Sequence, residues 1–134
     1  MRSLDTNVVL RLLLQDSPEQ AARVAKLFAA SKPNSLVVAD AVFFEVAWVL
    51  AGPAYRLSRE VVAAALQQIA AIPQVSCNRP LIERAVPLYR QHAQLSFIDI
   101  CLAVHAELNG ATPLLSFDRA LARQLPATVE SLLP

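Results

Sequence analysis

The chain of 134 residues is poor in the residues that mark several protein classes. Only two glycines occur, which excludes collagen-like and glycine-linker proteins. The two cysteines, Cys77 and Cys101, fit neither a disulfide framework nor a zinc site, and we expect both to be reduced core residues. No apolar run reaches the roughly 18 residues that a membrane span needs, so we expect no membrane association.

Lysine is also scarce, because only Lys26 and Lys32 stand among the 12 basic residues. The formal net charge is +1, so bulk charge does not indicate a nucleic-acid-binding protein, and such binding has to come from local arrangement. Arg2 and Asp5 near the amino end are unlike a signal peptide. Together with the reduced cysteines, this indicates a cytoplasmic protein.

Short β-like runs alternate with longer helical patterns, and a hydrophobic content of 55% is enough for one substantial core. This predicts a single domain over 1–134 with an α/β fold: a three-layer sandwich with a short, mainly parallel central sheet. The predicted strands are 1–5, 35–38, 74–76, 112–116 and 128–131. The predicted helices are 6–15, 18–31, 41–51, 59–71, 79–92, 97–109 and 119–124.

Four of the 11 acidic residues need an explanation. Asp5 ends the first predicted strand, and Asp118 follows the strand run PLLSF. Glu45 lies in the apolar segment VFFEVAWVL, and Asp99 lies in FIDICLAV. Ligand sites of parallel sheets lie beyond the carboxyl ends of the strands, where several of these acids fall.

Three of these acids also have a purely structural interpretation. Asp5 and Asp118 could each cap the helix that follows. Asp99 could form a capping box with Ser96, in the pattern S-x-x-D. These interpretations stay open beside a catalytic role.

Glu45 is the acid that a cap does not explain. Its helical neighbours include Val42, Trp48 and Val49, so we expect its carboxylate to lie among large apolar groups. An unpaired buried charge is costly, so either an arginine (Arg11 or Arg119) or a metal ion has to compensate it. Trp48 itself, with Phe43 and Phe44, is interpreted as a core or partner-contact residue.

Oxygen ligands without nearby histidine or cysteine favour Mg²⁺ or Mn²⁺ over zinc. Four converging carboxylates repel one another unless divalent cations are present, and such a site suits metal-assisted phosphodiester hydrolysis. Asp5 and Asp99 are the expected direct ligands, and Asp118 completes the site or binds through water. Glu45 ligates the metal or orients the attacking water.

Neutral and basic neighbours of the acids supply further expected contacts. Asn7 and Ser116 offer polar contacts to water or phosphate. Arg11 and Arg119 can hold RNA phosphates, and Arg56 with Arg59 could form a rim. For any single arginine, an ordinary solvated surface position is the alternative.

Four segments resemble the four signatures of PIN domains, in order and over essentially the whole chain: LDTNVVLRLLL, FFEVAWVL, SFIDICLAVHAE and LLSFDRAL. The best match is the VapC-type toxin of bacterial toxin–antitoxin pairs. The resemblance assigns the family's acids to Asp5, Glu45, Asp99 and Asp118, and its small polar residue to Ser116. The sequence departs from many relatives at Ser96, where they carry a further acid.

The resemblance implies a Mg²⁺- or Mn²⁺-dependent endoribonuclease that acts on single-stranded or loop RNA. It also implies a homodimer and a cognate VapB-like antitoxin that blocks the site. Two alternatives are a catalytically silent protein-binding module and a phosphoacceptor receiver-like domain. The second fits poorly, because the chain has no lysine after Lys32 and no adjacent pair of acids after the first strand.

Overall fold

A computed structural model describes all residues from 1 to 134. It has an α/β fold in which short parallel strands alternate with helices. The strands are β1 (Arg2–Ser3), β2 (Leu36–Val37), β3 (Val75–Ser76), β4 (Leu114–Ser116) and β5 (Val129–Ser131). The helices are α1 (Thr6–Leu13), α2 (Pro18–Ala29), α3 (Asp40–Ala51), α4 (Arg59–Ala71), α5 (Arg79–Gln91), α6 (Phe97–Leu108) and α7 (Arg119–Gln124).

The chain divides into two compact units, and the first, Met1–Arg79, contains a three-stranded parallel sheet in the order β1-β2-β3. Arg2 pairs with Leu36, and Leu36 pairs with Val75. Two helices separate each pair of successive strands, because parallel strands need a crossover connection.

The second unit, Pro80–Pro134, contains a two-stranded parallel sheet in which α7 connects β4 to β5. Leu114 pairs with Val129, and Ser116 pairs with Ser131. In the same unit, the rings of Tyr89 and Phe97 meet edge to face with centroids 5.6 Å apart. This is a favoured geometry for aromatic pairs.

Both units contain fully buried apolar side chains. In α4, Val62, Leu66 and Ile69 recur at helical spacing in the sequence, and all three are at most 1% exposed. In α6, Ile100 and Val104 are completely buried. Burial of such side chains contributes about 1.5–3 kcal/mol each relative to leaving them in water.

The predicted elements are all present, with differences at their ends. The strands have only two or three residues, and their pairing is divided between two sheets. Helix α3 begins at Asp40, one residue before its predicted start, and Ala39 occupies the cap position without a side-chain cap bond. Pro87 lies inside α5 and does not end it. Gly110 follows α6 with a φ of +64°, the left-handed conformation that suits glycine after a helix.

The cysteines and the length of the helices were the subject of two expectations. Neither Cys77 nor Cys101 forms a disulfide, and Cys101 is buried whereas Cys77 is half-buried. None of the helices is long and apolar enough to cross a membrane.

Two aromatic residues of α3 test which face of this helix is buried. Phe43 is fully buried, whereas Trp48 is 78% exposed. We expect Phe43→Ala to lower the free energy of unfolding by about 3–5 kcal/mol, because it leaves a cavity in the core. Trp48→Ala should change it by about 0.5 kcal/mol or less. Urea unfolding followed by circular dichroism measures both, and equal losses in the two variants would contradict the assigned face.

Candidate active site

Asp5 lies two residues after β1 and caps α1. Its Oδ1 accepts a hydrogen bond from the backbone N–H of Val8 at 3.0 Å. The residue is exposed, so the carboxylate remains accessible to solvent. The capping interpretation of Asp5 is therefore confirmed, and it does not exclude a second role for this carboxylate.

Glu45 is hydrogen-bonded to Thr6, the residue that follows Asp5. The hydroxyl of Thr6, the first residue of α1, donates a hydrogen bond to Oε2 of Glu45 at 3.0 Å. Thr6 is 9% exposed, and α1 packs against α3, which carries Glu45. Of the four predicted acids, the first unit therefore holds Asp5 and Glu45 in neighbouring positions.

The prediction that Glu45 lies buried among apolar groups is wrong. Glu45 is exposed, and so is Trp48, one turn later. The buried face of α3 consists instead of Phe43, Val46, Ala47 and Leu50. Since α3 is apolar on almost every side, its composition does not decide which face packs inward.

Arg11 does not compensate Glu45. Its Nη1 lies 2.9 Å from Oδ1 of Asp16, and the hydroxyl of Tyr55 donates to Oδ2 of Asp16 at 3.0 Å. The Arg11 side chain is 19% exposed, and its Nε is buried without a hydrogen-bond partner. This cluster joins the end of α1 to the segment between α3 and α4.

In the second unit, Ser116 and Asp118 lie together at the end of β4. The backbone N–H of Asp118 donates to Oγ of Ser116 at 2.9 Å. Oδ1 of Asp118 accepts from the N–H of Leu121 at 3.1 Å, so this carboxylate caps α7. Asp118 and the following Arg119 are both exposed.

Asp99 lies in the first turn of α6, which packs against β4. Oγ of Ser96 accepts a hydrogen bond from the N–H of Asp99 at 3.2 Å, which is one half of the predicted capping box. The Asp99 carboxylate makes no hydrogen bond or ion pair and is half-buried. Because the Ser96 hydroxyl caps the helix, the Asp99 carboxylate contributes to α6 only through its negative charge in the first turn.

The chemistry of these donors fits a hard divalent cation, since all four predicted ligands are carboxylates. Nevertheless, the structure contains no group of three or more His, Cys, Asp or Glu side chains arranged to hold a metal ion. What the structure shows is one acidic position at a strand end in each unit, Asp5 and Asp118. Asp5 is joined through Thr6 to Glu45.

Comparison with protein families identifies the family to which this α/β chain belongs. The family model of the PIN domain matches residues 3–124. The chain belongs to the PIN domain family. The matched range includes all four acids together with Asn7, Arg11 and Ser116. No curated protein and no solved structure gives a significant match.

PIN domains are typically metal-dependent nucleases, so membership supports nuclease activity in general. In this PIN domain, Thr6 is the polar residue that sequence reasoning overlooked. Its position after Asp5 was visible, but its bond to Glu45 joins residues 39 positions apart, and no local spacing shows such a pair. Asp16 and Tyr55 were overlooked for the same reason.

Substitutions at Asp5 can distinguish its role as a helix cap from a role in chemistry. Asparagine is as good an N-cap as aspartate. We therefore expect Asp5→Asn to change the free energy of unfolding by about a few tenths of a kcal/mol at most. Asp5→Ala, which removes the cap, should lower it by about 1 kcal/mol. Asp99→Asn should be equally mild, because its carboxylate makes no bond in the fold. Chemical denaturation measures all three variants, and an Asp5→Asn variant as unstable as Asp5→Ala would contradict the cap geometry.

Proposed function

We propose that this PIN domain is a Mg²⁺- or Mn²⁺-dependent endoribonuclease and the toxin of a VapBC-type toxin–antitoxin pair. The observation that carries the proposal is that Asp5, Glu45, Asp99 and Asp118 all lie in the PIN-matched range, in the family's order. The fold makes no hydrogen bond to the carboxylate of Asp99 and keeps Asp5 and Asp118 exposed. Asp5 and Asp118 also cap helices, so Asp99 is the acid whose presence a purely structural role explains least.

The acids have two tasks in this proposal. Asp5, Asp99 and Asp118 would ligate the ion, and Glu45 would ligate it or orient the attacking water. The ion, when bound, would offset negative charge on the scissile phosphate and favour loss of a proton from the attacking water. Each of the two capping carboxylates uses Oδ1 for its helix, which leaves Oδ2 available to a ligand.

RNA binding is proposed to depend on residues that adjoin the acids. Arg119 is exposed directly after Asp118, where its guanidinium can bind a phosphate. Asn7 is exposed after Thr6, and Ser116 lies beside Asp118, so both can contact water or phosphate. Arg11 shares its charge with Asp16, so its proposed contact to phosphate would use only part of its donors.

A protein partner is proposed from the exposed apolar residues. Trp48 is 78% exposed beyond Glu45 on α3, and Phe117 is 68% exposed between Ser116 and Asp118. Large aromatic side chains are enriched where proteins bind one another. We therefore propose that a VapB-like antitoxin is the partner, with Trp48 and Phe117 as candidate contact residues in their respective units, and that the toxin is a cytoplasmic homodimer.

A catalytically silent protein-binding module is the second candidate. It is favoured by the absence of a group of three metal-ligating side chains, and by the same exposed aromatic residues. In that case, the carboxylates of Asp5 and Asp118 serve only as helix caps. The two candidates differ in whether Asp99, which caps nothing, affects any activity.

Loss of single carboxylates tests the enzyme directly. We expect Asp5→Asn and Asp99→Asn each to lower the rate of RNA cleavage by more than about 100-fold, because a ligand to the ion is lost. Cleavage of a structured RNA in Mg²⁺ or Mn²⁺, with mapping of the cut sites, measures this. Glu19→Gln is the control, since exposed Glu19 pairs with Arg23 and neither residue has a role in the proposed site.

Cleavage by the wild type that a chelator does not stop would contradict metal dependence. Full activity in both Asp5→Asn and Asp99→Asn would refute the assigned residues. An inactive wild type with a folded circular dichroism spectrum would favour the silent module.

Metal binding also has a consequence for stability. A ligand that binds only the native state stabilises it, by about 2.7 kcal/mol at a concentration roughly 100-fold above its Kd. We therefore expect Mg²⁺ to raise the melting temperature of the wild type, but not that of Asp5→Asn/Asp99→Asn. Thermal unfolding with and without Mg²⁺, at matched ionic strength in NaCl, measures this. Equal shifts in both proteins would show that Mg²⁺ does not bind through these acids.

A further inference from the structure

Thr6 is the one residue through which the fold holds the side chain of Glu45. The other acids are fixed differently, because Asp5 and Asp118 bond to backbone N–H groups of their own helices. Glu45 lies in mid-helix, where the backbone offers its carboxylate no free N–H. Its hydrogen bond comes instead from another element, through the hydroxyl of Thr6 at 3.0 Å.

This hydrogen bond restricts a side chain that otherwise has many conformations. Glu45 is exposed, and an exposed glutamate keeps its rotamer freedom unless a partner holds it. Thr6 is itself 9% exposed and is the first residue of α1, so its hydroxyl has a fixed position. The bond uses only Oε2, and Oε1 makes no hydrogen bond within the protein.

We propose that Thr6 is a positioning residue of the active site. Its hydroxyl holds the Glu45 carboxylate at the start of α1, directly after Asp5. This role rests on the proposed nuclease function, because Thr6 acts on catalysis only through Glu45. Removing the hydroxyl leaves Glu45 present but free to rotate. Catalysis should then fall because the carboxylate is seldom in place, while RNA binding should change little.

The chain contains a matched control for the variant. Thr128 is 8% exposed, and its hydroxyl donates to Oε1 of Glu107 at 2.6 Å. This pair lies in the second unit and contains none of the four acids. Thr6→Val and Thr128→Val therefore remove the same kind of bond, with the same change in shape.

We expect Thr6→Val to lower kcat about 10–100-fold with KM within about threefold of the wild type, as for other groups that orient a site residue. Thr6→Ser, which keeps the hydroxyl, should restore kcat to within about threefold. Thr128→Val should keep the wild-type kcat. Melting temperatures of all three variants show whether each remains folded under the assay conditions.

A second measurement needs neither metal nor RNA. In protein labelled with ¹³C at glutamate carboxylates, the Glu45 resonance is assigned by its loss in Glu45→Gln. It should shift in Thr6→Val, return towards the wild-type position in Thr6→Ser, and stay unchanged in Thr128→Val. An unchanged Glu45 resonance in Thr6→Val would overturn the inference whatever the activity.

The failures of the two proposals are distinguishable. A wild type that cleaves no RNA contradicts the nuclease function and, with it, the role of Thr6. A wild type that cleaves RNA, together with a Thr6→Val variant as active as Thr128→Val, contradicts the role of Thr6 alone. A loss of kcat that Thr6→Ser does not restore also contradicts it, because it would reflect packing and not the hydroxyl.

Discussion

Repulsion between carboxylates is the constraint on which this account depends. Acidic side chains that share a site destabilise one another unless positive charge is present. Of the four acids in the PIN signatures, none has an ion pair with an arginine. Arg11, one of the two arginines considered as a partner of Glu45, pairs with Asp16 instead. In the proposed function, a divalent cation supplies the positive charge that a site of converging carboxylates requires.

The fold and the proposed chemistry use the same residues without competing for them. An aspartate at the end of a parallel strand is well placed to cap the next helix, and Asp5 and Asp118 both do so. The same position faces the edge of a sheet where α/β proteins bind ligands. Since a cap needs only one carboxylate oxygen, the two roles are compatible. Asparagine would keep the cap but remove the charge.

The sequence predicted the order of the elements well, because it depends on local signals. Serine residues that precede apolar segments indicate where helices begin, as Ser96 does before α6, where its hydroxyl accepts a hydrogen bond from the N–H of Asp99. The four acids were singled out by local signals too, since two follow predicted strands and two lie in apolar segments, and their role as one site stays a prediction. The exposed face of α3 was not predicted, because a helix that is apolar on nearly all sides shows no preferred face. Pairs distant in sequence, such as Thr6 with Glu45 and Arg11 with Asp16, were not predicted either.

The most direct test of the central claim is a crystal structure of the protein grown with Mn²⁺, with diffraction recorded at the manganese absorption edge. The account predicts an anomalous peak coordinated by carboxylate oxygens of Asp5, Asp99 and Asp118, with Glu45 still bonded to Thr6. Crystals with no such peak, or with each of these carboxylates paired to its own arginine, would contradict it.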